Sequence, residues 1–525
     1  MIAAAPAWPD RNAAHLLVSG GQMTALEQQL FASGLPVEAL MEKAALAVAR
    51  RIQQQWHHHL ANHGAVVLVG PGHNGGDGLV IARELRLAGI QVAIWSPFER
   101  HKPLTASHLR HALWLGIPRL LEPPEPNSEA LWIDALFGIG QSRAPGAAIE
   151  TLLAQRQAQR PHTLVAVDGP TGICSDTGRL LGPTAACAHI TYAIGLVKTG
   201  LVQDRALAWV GWLERIELGL PASLLDQLPL EQPLGLEPGD LDTLPPLALD
   251  PAASKYGRGR LLLLAGSHRY RGAAALALLG ADASGCGSLK AALPEAVANE
   301  LWRWLPHAVL QRSLTSDAEG NLALAELEDA DLERLDALLL GPGIGRPDGG
   351  PGPQEAAAWQ RLQAFPGLLV LDADGLNRTN AAWLQQRRGP TWITPHAGEF
   401  ARLFPELAQL PPLEAAAQAA RQSGAAVLLK GAHTVIAAPD GRRWQLLQSA
   451  PAAARTGLGD VLAGFAAGRG ARVLASGAQA DACWLAAAAL AHATAGLQLQ
   501  QSASEPSPEQ VASVLQRGLG PHSAC

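Results

Sequence analysis

Cysteine is scarce in this 525-residue chain, and its five copies, Cys174, Cys187, Cys286, Cys483 and Cys525, are too scattered for a disulfide framework. No CxxC pair is present, which removes the usual signature of a structural zinc site. Charge is sparse as well. Only 16% of residues are charged, and 40 Lys and Arg against 46 Asp and Glu leave no basic run for nucleic acid or an anionic membrane surface. The opening MIAAAPAWPDRNAAHLL lacks a basic stretch followed by an apolar one, and the Ala-rich stretch at 483–497 is broken by His492 and too mixed to span a bilayer. These absences lead us to expect a soluble cytoplasmic protein with no nucleic-acid and no membrane partner.

What is abundant points the other way, toward buried sheets. The chain is 48% hydrophobic and holds 54 glycines, a mixture that suits strands covered on both faces and joined by tight turns. Its length exceeds one ordinary core, so two domains of roughly 200 to 300 residues are expected. Short apolar runs recur at 65–70 (AVVLVG), 91–96 (QVAIWS), 130–138 (ALWIDALFG), 163–170 (TLVAVDGP) and 189–195 (HITYAIG), with helical patterning between several of them, as at 79–89. Parallel strands with crossover helices follow. Dense proline from 221 to 255 forbids a long helix or a central strand, and a second α/β series starts at 260–266 (RLLLLAG). It continues at 336–343, 368–375, 391–399, 425–431 and 433–441; the last two read as a hairpin, with a further tight turn at Asp440-Gly441. The expected layout is an N-terminal Rossmann-like three-layer domain over 1–225, a Pro-rich linker over 226–255 and a C-terminal domain over 256–525. The halves share no motif, which indicates fusion and not duplication.

In the first half, GPGHNGGDG at 70–78 follows a strand and opens a helix, so its backbone N–H groups can meet an anion at the positive helix end. Alone, such a loop is as well explained by a tight strand-to-helix turn. Asp134 with GIGQSRAPG behind it, and Asp168-Gly169-Pro170-Thr171-Gly172, close two further strands on the same sheet edge, and three polar loops there make one cleft. A dinucleotide dehydrogenase is disfavoured, because GxGxxG spacing is missing and QVAIWSPF ends without an acid for a ribose. The run His57-His58-His59 has no carboxylate or cysteine near it in sequence and reads as a solvated helix end.

At Asn74–Gly78, Asp134–Gly138 and Val167–Gly172 the half resembles the epimerase domain of the bifunctional NAD(P)H-hydrate repair enzymes, over roughly residues 20–220. The resemblance implies a potassium ion on Asn74, Asp134 and Thr171. It implies that the hydrated dinucleotide meets His73, Asn74, Gly75, Gly76 and Asp77, then Gly138, Ile139, Gly140, Gln141, Ser142, Arg143 and Ala144, and finally Asp168, the candidate acid/base. Inverting a carbon that carries a hydroxyl beside a ring nitrogen requires proton movement, for which a carboxylate suffices. The family usually has Asn at the place of His73 and Ile-Pro-Ser at that of Gly169-Pro170-Thr171; the threonine keeps an oxygen ligand.

In the second half, Gly457-Leu458-Gly459-Asp460 before VLAGFAAG places an aspartate and glycine N–H groups at a helix start, the makings of a general base beside an anion hole. Gly341–Gly345, LDADGLN (371–377), TPHAGEF (394–400) and LLKGAHT (428–434) each close a strand. Lys430, ending an apolar strand beside Gly431, is better explained by a phosphate than by solvent. Together these strings resemble the dehydratase domain of the same repair enzymes, over about 255–515, which implies a ribokinase-like fold. By that resemblance Lys430, Gly431, Ala432, His433, Thr434 and Gly459 bind the nucleotide, Ala273, Gly343, His396 and Asp460 meet the hydrate, and Asp460 is the base. The implied substrates are NADHX and NADPHX, with ADP or ATP as phosphate donor, magnesium as its counter-ion, and a homo-oligomer compatible with all of this. Leu458 stands where the family has a small hydroxyl residue, and its bulk is expected to narrow the phosphate pocket. Two alternatives stay open on the residues alone: a vitamin or sugar kinase fused to a dinucleotide-binding domain, and a non-catalytic dinucleotide-binding protein.

Overall fold

The leucine-rich runs form strands because each can be covered twice. In a computed structural model describing residues 7–247, 251–346, 355–502 and 505–519, Leu261 and Leu263 point into one apolar core while Leu262 and Leu264 point into another. The next two runs divide the same way: Ala337, Leu339, Leu368 and Val370 join the first core, and Leu338, Leu340, Leu369 and Leu371 the second. Period-two alternation within an all-apolar run is what a sheet sandwiched between helix layers requires.

The chain divides into two units, one of residues 11–232 and one in which residues 7–10 join 233 onward. The first unit carries seven parallel strands: β1 (Ala65–Val69), β2 (Val92–Trp95), β3 (Arg119–Leu120), β4 (Leu131–Ala135), β5 (Leu164–Val167), β6 (Ile190–Ile194) and β7 (Trp212–Ile216). Their order is β3-β2-β1-β4-β5-β6-β7. A separate short ladder pairs Leu17–Val18 with Val197–Lys198, directly before helix α1 (Gly20–Ala32). Helix α2 (Val37–Gln55) packs on α3 (His73–Leu87), which starts at the glycine loop six residues earlier than the 79–89 pattern suggested.

The second unit is a ten-stranded sheet built from β8 (Leu234–Leu236), β9 (Arg260–Leu264), β10 (Ser288–Pro294), β11 (Val309–Leu314), β12 (Ala337–Leu340), β13 (Leu368–Leu371), β14 (Thr391–Ile393), β15 (Ala426–Leu429), β16 (Val435–Ala437) and β17 (Arg443–Leu446). Its order is β8-β17-β16-β15-β14-β13-β12-β9-β10-β11, parallel except where β16 runs against β15 and β17. The hairpin of β15 and β16 and the turn at Asp440-Gly441 therefore occur where the sequence placed them. The expectation of a bare linker over 226–255 needs correction, since it contains β8, hydrogen-bonded to β17 at the sheet edge. Proline dictates only that this strand is neither central nor long.

Three helices pack together on this sheet: α4 (Arg271–Ala283), α5 (Leu458–Ala475) and α6 (Ala482–Gln501). Helices α4 and α5 touch backbone to backbone. A Cβ on Gly464 would lie 1.9 Å from Ala277 O, and one on Gly280 would lie 2.1 Å from Val461 O, so only glycine permits this crossing. Helix α6 is long and apolar enough to cross a membrane, but 72% of its most apolar window is buried within the unit.

Candidate active sites

In the first unit the parallel strands put the carboxyl ends of β1, β4 and β5 on one edge, and the loops behind them converge there. Asp134, at the end of β4, is fully buried and accepts three bonds: from Thr171 N at 2.8 Å, Thr171 Oγ1 at 2.8 Å and Leu136 N at 3.2 Å. Burial pushes its carboxyl up to about 6 against the pull of those donors. Asn74, in the first turn of α3, has both side-chain amide atoms buried without a protein partner. Gly138 lies between Asn74 and Asp168: a Cβ there would sit 3.0 Å from Asp168 Oδ2 and 3.2 Å from Asn74 Cγ. Asn74, one of the expected cation ligands, and the expected acid/base thus meet around one glycine.

Asp168 adopts φ +66°, a left-handed conformation unusual for a side-chain-bearing residue, which turns its carboxylate back over the strand ends. Its Oδ2 accepts from Ile139 N at 3.1 Å, its Oδ1 from Ile194 N at 3.3 Å, and Oδ1 also pairs with Lys198. Gln141 ties two loops together, donating to Phe137 O and Pro170 O and accepting from Gly172 N at 2.7 Å. Gly75 and Gly76 are buried, whereas His73, Gly140, Ser142, Arg143 and Ala144 are exposed along the rim. Burial first, and then Asp168 and Glu27, push the Asp77 carboxyl well above its ordinary range.

Two residues of this cleft escaped the sequence reading. Lys198 is fully buried and donates to Ile194 O at 2.8 Å as well as to Asp168. Glu27, on α1, is pushed up to about 7, mainly by burial and then by the Asp168 charge, with Lys198 pulling the other way. Lys198 carried a readable signal, a lysine closing the apolar stretch AIGLV, the same signal that singled out Lys430. Glu27 carried none, because a glutamate on an amphipathic helix usually faces solvent. The short helix His57–His63 gathers no metal set, and no group of three His, Cys, Asp or Glu side chains among the described residues could hold a metal ion.

In the second unit a cleft of about 540 Å³ is lined by Ala273, Gly343 and Asp460, three of the four expected hydrate contacts, by Asp374 of the LDADGLN loop, and by Arg269, Tyr270 and Arg346, which the sequence did not single out. The fourth, His396, caps a short helix at Ala397–Leu403: its Nδ1 accepts from Gly398 N at 3.0 Å, while Glu399 Oε2 accepts from His396 N at 2.9 Å. Asp460 lies in the first turn of α5. Burial pushes it up to about 7, with the Asp372, Asp374 and Glu399 charges adding and Lys430 opposing. Lys430 pairs with Asp372, which also accepts from Thr394 Oγ1 at 2.8 Å, and its amine stands 3.3 Å from where a Cβ on Gly459 would be. The loop expected to hold nucleotide and the turn that carries Asp460 therefore adjoin. Within that loop Thr434 Oγ1 donates to Gly431 O at 3.0 Å, His433 is buried, and Gly431 and Ala432 are exposed. Leu458 is buried in the apolar core, so its bulk is taken up in packing.

Known proteins divide along the same lines. Residues 261–517 match the NAD(P)H-hydrate dehydratase family, and residues 37–200 match the family described as YjeF-related protein N-terminus. A bifunctional NAD(P)H-hydrate repair enzyme of Gloeobacter violaceus is 43% identical over 457 residues, covering 86% of this chain and 87% of its own. One from Synechocystis is 42% identical, with 92% and 91% covered. Among solved structures, an ADP/ATP-dependent NAD(P)H-hydrate dehydratase from Bacillus subtilis, co-crystallised with ATP and Mg²⁺, is 27% identical over 54% of this chain and 95% of its own, at a TM-score of 0.43.

Proposed function

Because the chain belongs to the family of bifunctional NAD(P)H-hydrate repair enzymes, we propose that its two clefts divide one repair between them, epimerisation in the first unit and dehydration in the second. The substrates are the hydrates NADHX and NADPHX, and the product is the intact reduced cofactor. Asp168 moves the proton in the first cleft, where its carboxylate is held by two backbone N–H groups and Lys198. Asn74, Asp134 and Thr171 fit a potassium ion, because a buried charge, a buried hydroxyl and an amide with no protein partner offer it oxygen ligands. A bound cation there would balance Asp134 and favour the substrate's phosphates.

In the second cleft Asp460 takes the proton of the ring hydroxyl of the S hydrate. The freed oxygen attacks the terminal phosphorus of ADP, or of ATP, expelling AMP or ADP; the C–O bond then breaks with its pair leaving on the phosphate, and the neighbouring ring carbon gives up its proton to the departing phosphate or water as the C=C bond forms. Lys430, Gly431, Ala432, His433, Thr434 and Gly459 hold the nucleotide, and Ala273, Gly343 and His396 hold the hydrate. Magnesium fits as an ion carried mainly by the nucleotide's phosphates and water, since no three acidic or histidine side chains among the described residues converge on it. Four described cysteines are unpaired, in keeping with a cytoplasmic setting.

The observation that carries this reading is the position of Asp460: in the first turn of an 18-residue helix, in one cleft with Ala273 and Gly343, and held near neutrality by its surroundings. The test supplies hydrated NADH with ADP or ATP and follows the return of nicotinamide absorbance. Consumption of nucleotide with an alcohol such as hydroxyethylthiazole, and none with the hydrate, would overturn it in favour of a small-molecule kinase.

A further inference from the structure

Epimerisation at a hydroxyl-bearing carbon beside a ring nitrogen needs a proton given and a proton taken. In one route the acid protonates the departing hydroxyl, the C–O bond breaks, and the nitrogen lone pair forms C=N. Water then adds to the other face, its C–O bond forming as the base takes a proton and the C=N pair returns to nitrogen. In the other route the base takes the hydroxyl proton, C=O forms, the C–N bond breaks with its pair going to nitrogen, and the acid protonates nitrogen; reclosure on the other face reverses each step. Either way two groups must enter in opposite protonation states.

Asp168 is ringed by donors, since Lys198 and the N–H groups of Ile139 and Ile194 all point at its carboxyl oxygens, so a second proton-transfer group must come from another segment. On the assignment of epimerase chemistry to this cleft, we propose that Glu27 is the second proton-transfer group, donating where Asp168 accepts. Its place follows from the fold. Leu17–Val18 pairs with Val197–Lys198 and so pins the start of α1 beside the Lys198 strand. One helical turn before Glu27, Met23 is fully buried and packs onto Gly195, at the turn whose Ile194 carbonyl holds the Lys198 amine. Glu27 then shares an electrostatic cluster with Asp168, Asp77 and Lys198, contributed by four different segments. Burial and the Asp168 charge let it keep a proton up to about pH 7. In the water-loss route one turnover carries a proton from Glu27 to Asp168, and exchange with solvent restores both; in the ring-opening route reclosure returns each proton to the group it came from.

The full-length chain contains its own control, because dehydration of the S hydrate does not need this cleft. With the separated R hydrate of NADH plus ADP or ATP, Glu27→Gln should slow turnover by about 100-fold while S-hydrate turnover stays at the wild-type rate. Wild-type R-hydrate turnover should fall as pH rises through about 7, where Glu27 loses its proton, and that fall should vanish in Glu27→Gln. Glu27→Asp, which keeps the carboxyl, should recover part of the rate together with the alkaline fall, which a mere fold defect would not do. Wild-type rate and profile in Glu27→Gln beside an inactive Asp168→Asn would overturn the proposal and leave the epimerase reading standing. Wild-type behaviour in both variants would overturn that reading too. Loss of the alkaline fall in Asp77→Asn but not in Glu27→Gln would reassign the donor to Asp77 and overturn the proposal.

Discussion

Individual carboxylates in this protein are set to different tasks by what surrounds them. Asp460 meets burial and three neighbouring acids with only Lys430 to offset them, so it holds its proton to about pH 7. A base must be ionised to act, so dehydration of the S hydrate should rise with pH through about 7 and level off above it. Asp460→Asn should lower that rate at least 100-fold with no change in the melting transition, which a stopped-flow absorbance assay and calorimetry would check together. Leu458, two residues before it, has a different office. Its side chain is 8% exposed and sits in the core with Val461 and Phe465. Leu458→Ser should destabilise the second unit by about 3 kcal/mol through the cavity and the buried hydroxyl, without tightening nucleotide binding. Denaturant titration and calorimetric nucleotide binding separate the two effects.

At the scale of elements, the second sheet is completed from a distance. Trp8, near the start of the chain, is buried in the second unit's core; its Nε1 donates to Asp240 O at 2.9 Å, and its own carbonyl accepts from Trp444 Nε1 at 3.0 Å. Trp444 lies on β17, the strand on which β8 is laid. A tryptophan so placed fastens the edge of the sheet that the Pro-rich segment enters. Trp8→Ala should cost about 3 to 5 kcal/mol and lower the unfolding temperature of the second unit specifically. Hydrogen exchange should report it as early opening of β8 and β17, with β4 and β5 of the first unit unchanged.

Across the whole molecule the repair is a sequence of two reactions, and free diffusion of the epimer between them has a consequence that mixing can test. Conversion of the R hydrate to reduced cofactor should fail in Asp168→Asn and in Asp460→Asn alike, and should return when the two variants are mixed, since each supplies the cleft the other lacks. A mixture that stays inactive on the R hydrate, with S-hydrate turnover intact in the first variant, would show that the epimer must pass within one chain. Coupled absorbance assays at several mixing ratios decide this.

By itself the sequence determined the strands of both sheets that are apolar throughout, the glycine loops that end them, the carboxylates Asp134, Asp168 and Asp460, and the membership in a repair family. All of these are local: they depend on runs of a few residues whose burial and turn chemistry are written into their own composition. Other features were decided only by the tertiary structure. The strands at 288–294 and 309–314 lack an all-apolar run, β11 having much of its length exposed, and β8 exists because β17 offers it an open edge. Glu27 and Lys198 stand 171 positions apart in the chain. Their electrostatic coupling with Asp168 comes from packing α1 against the turn at 194–198, and that low-dielectric enclosure, not the residue type, makes Glu27 a candidate donor.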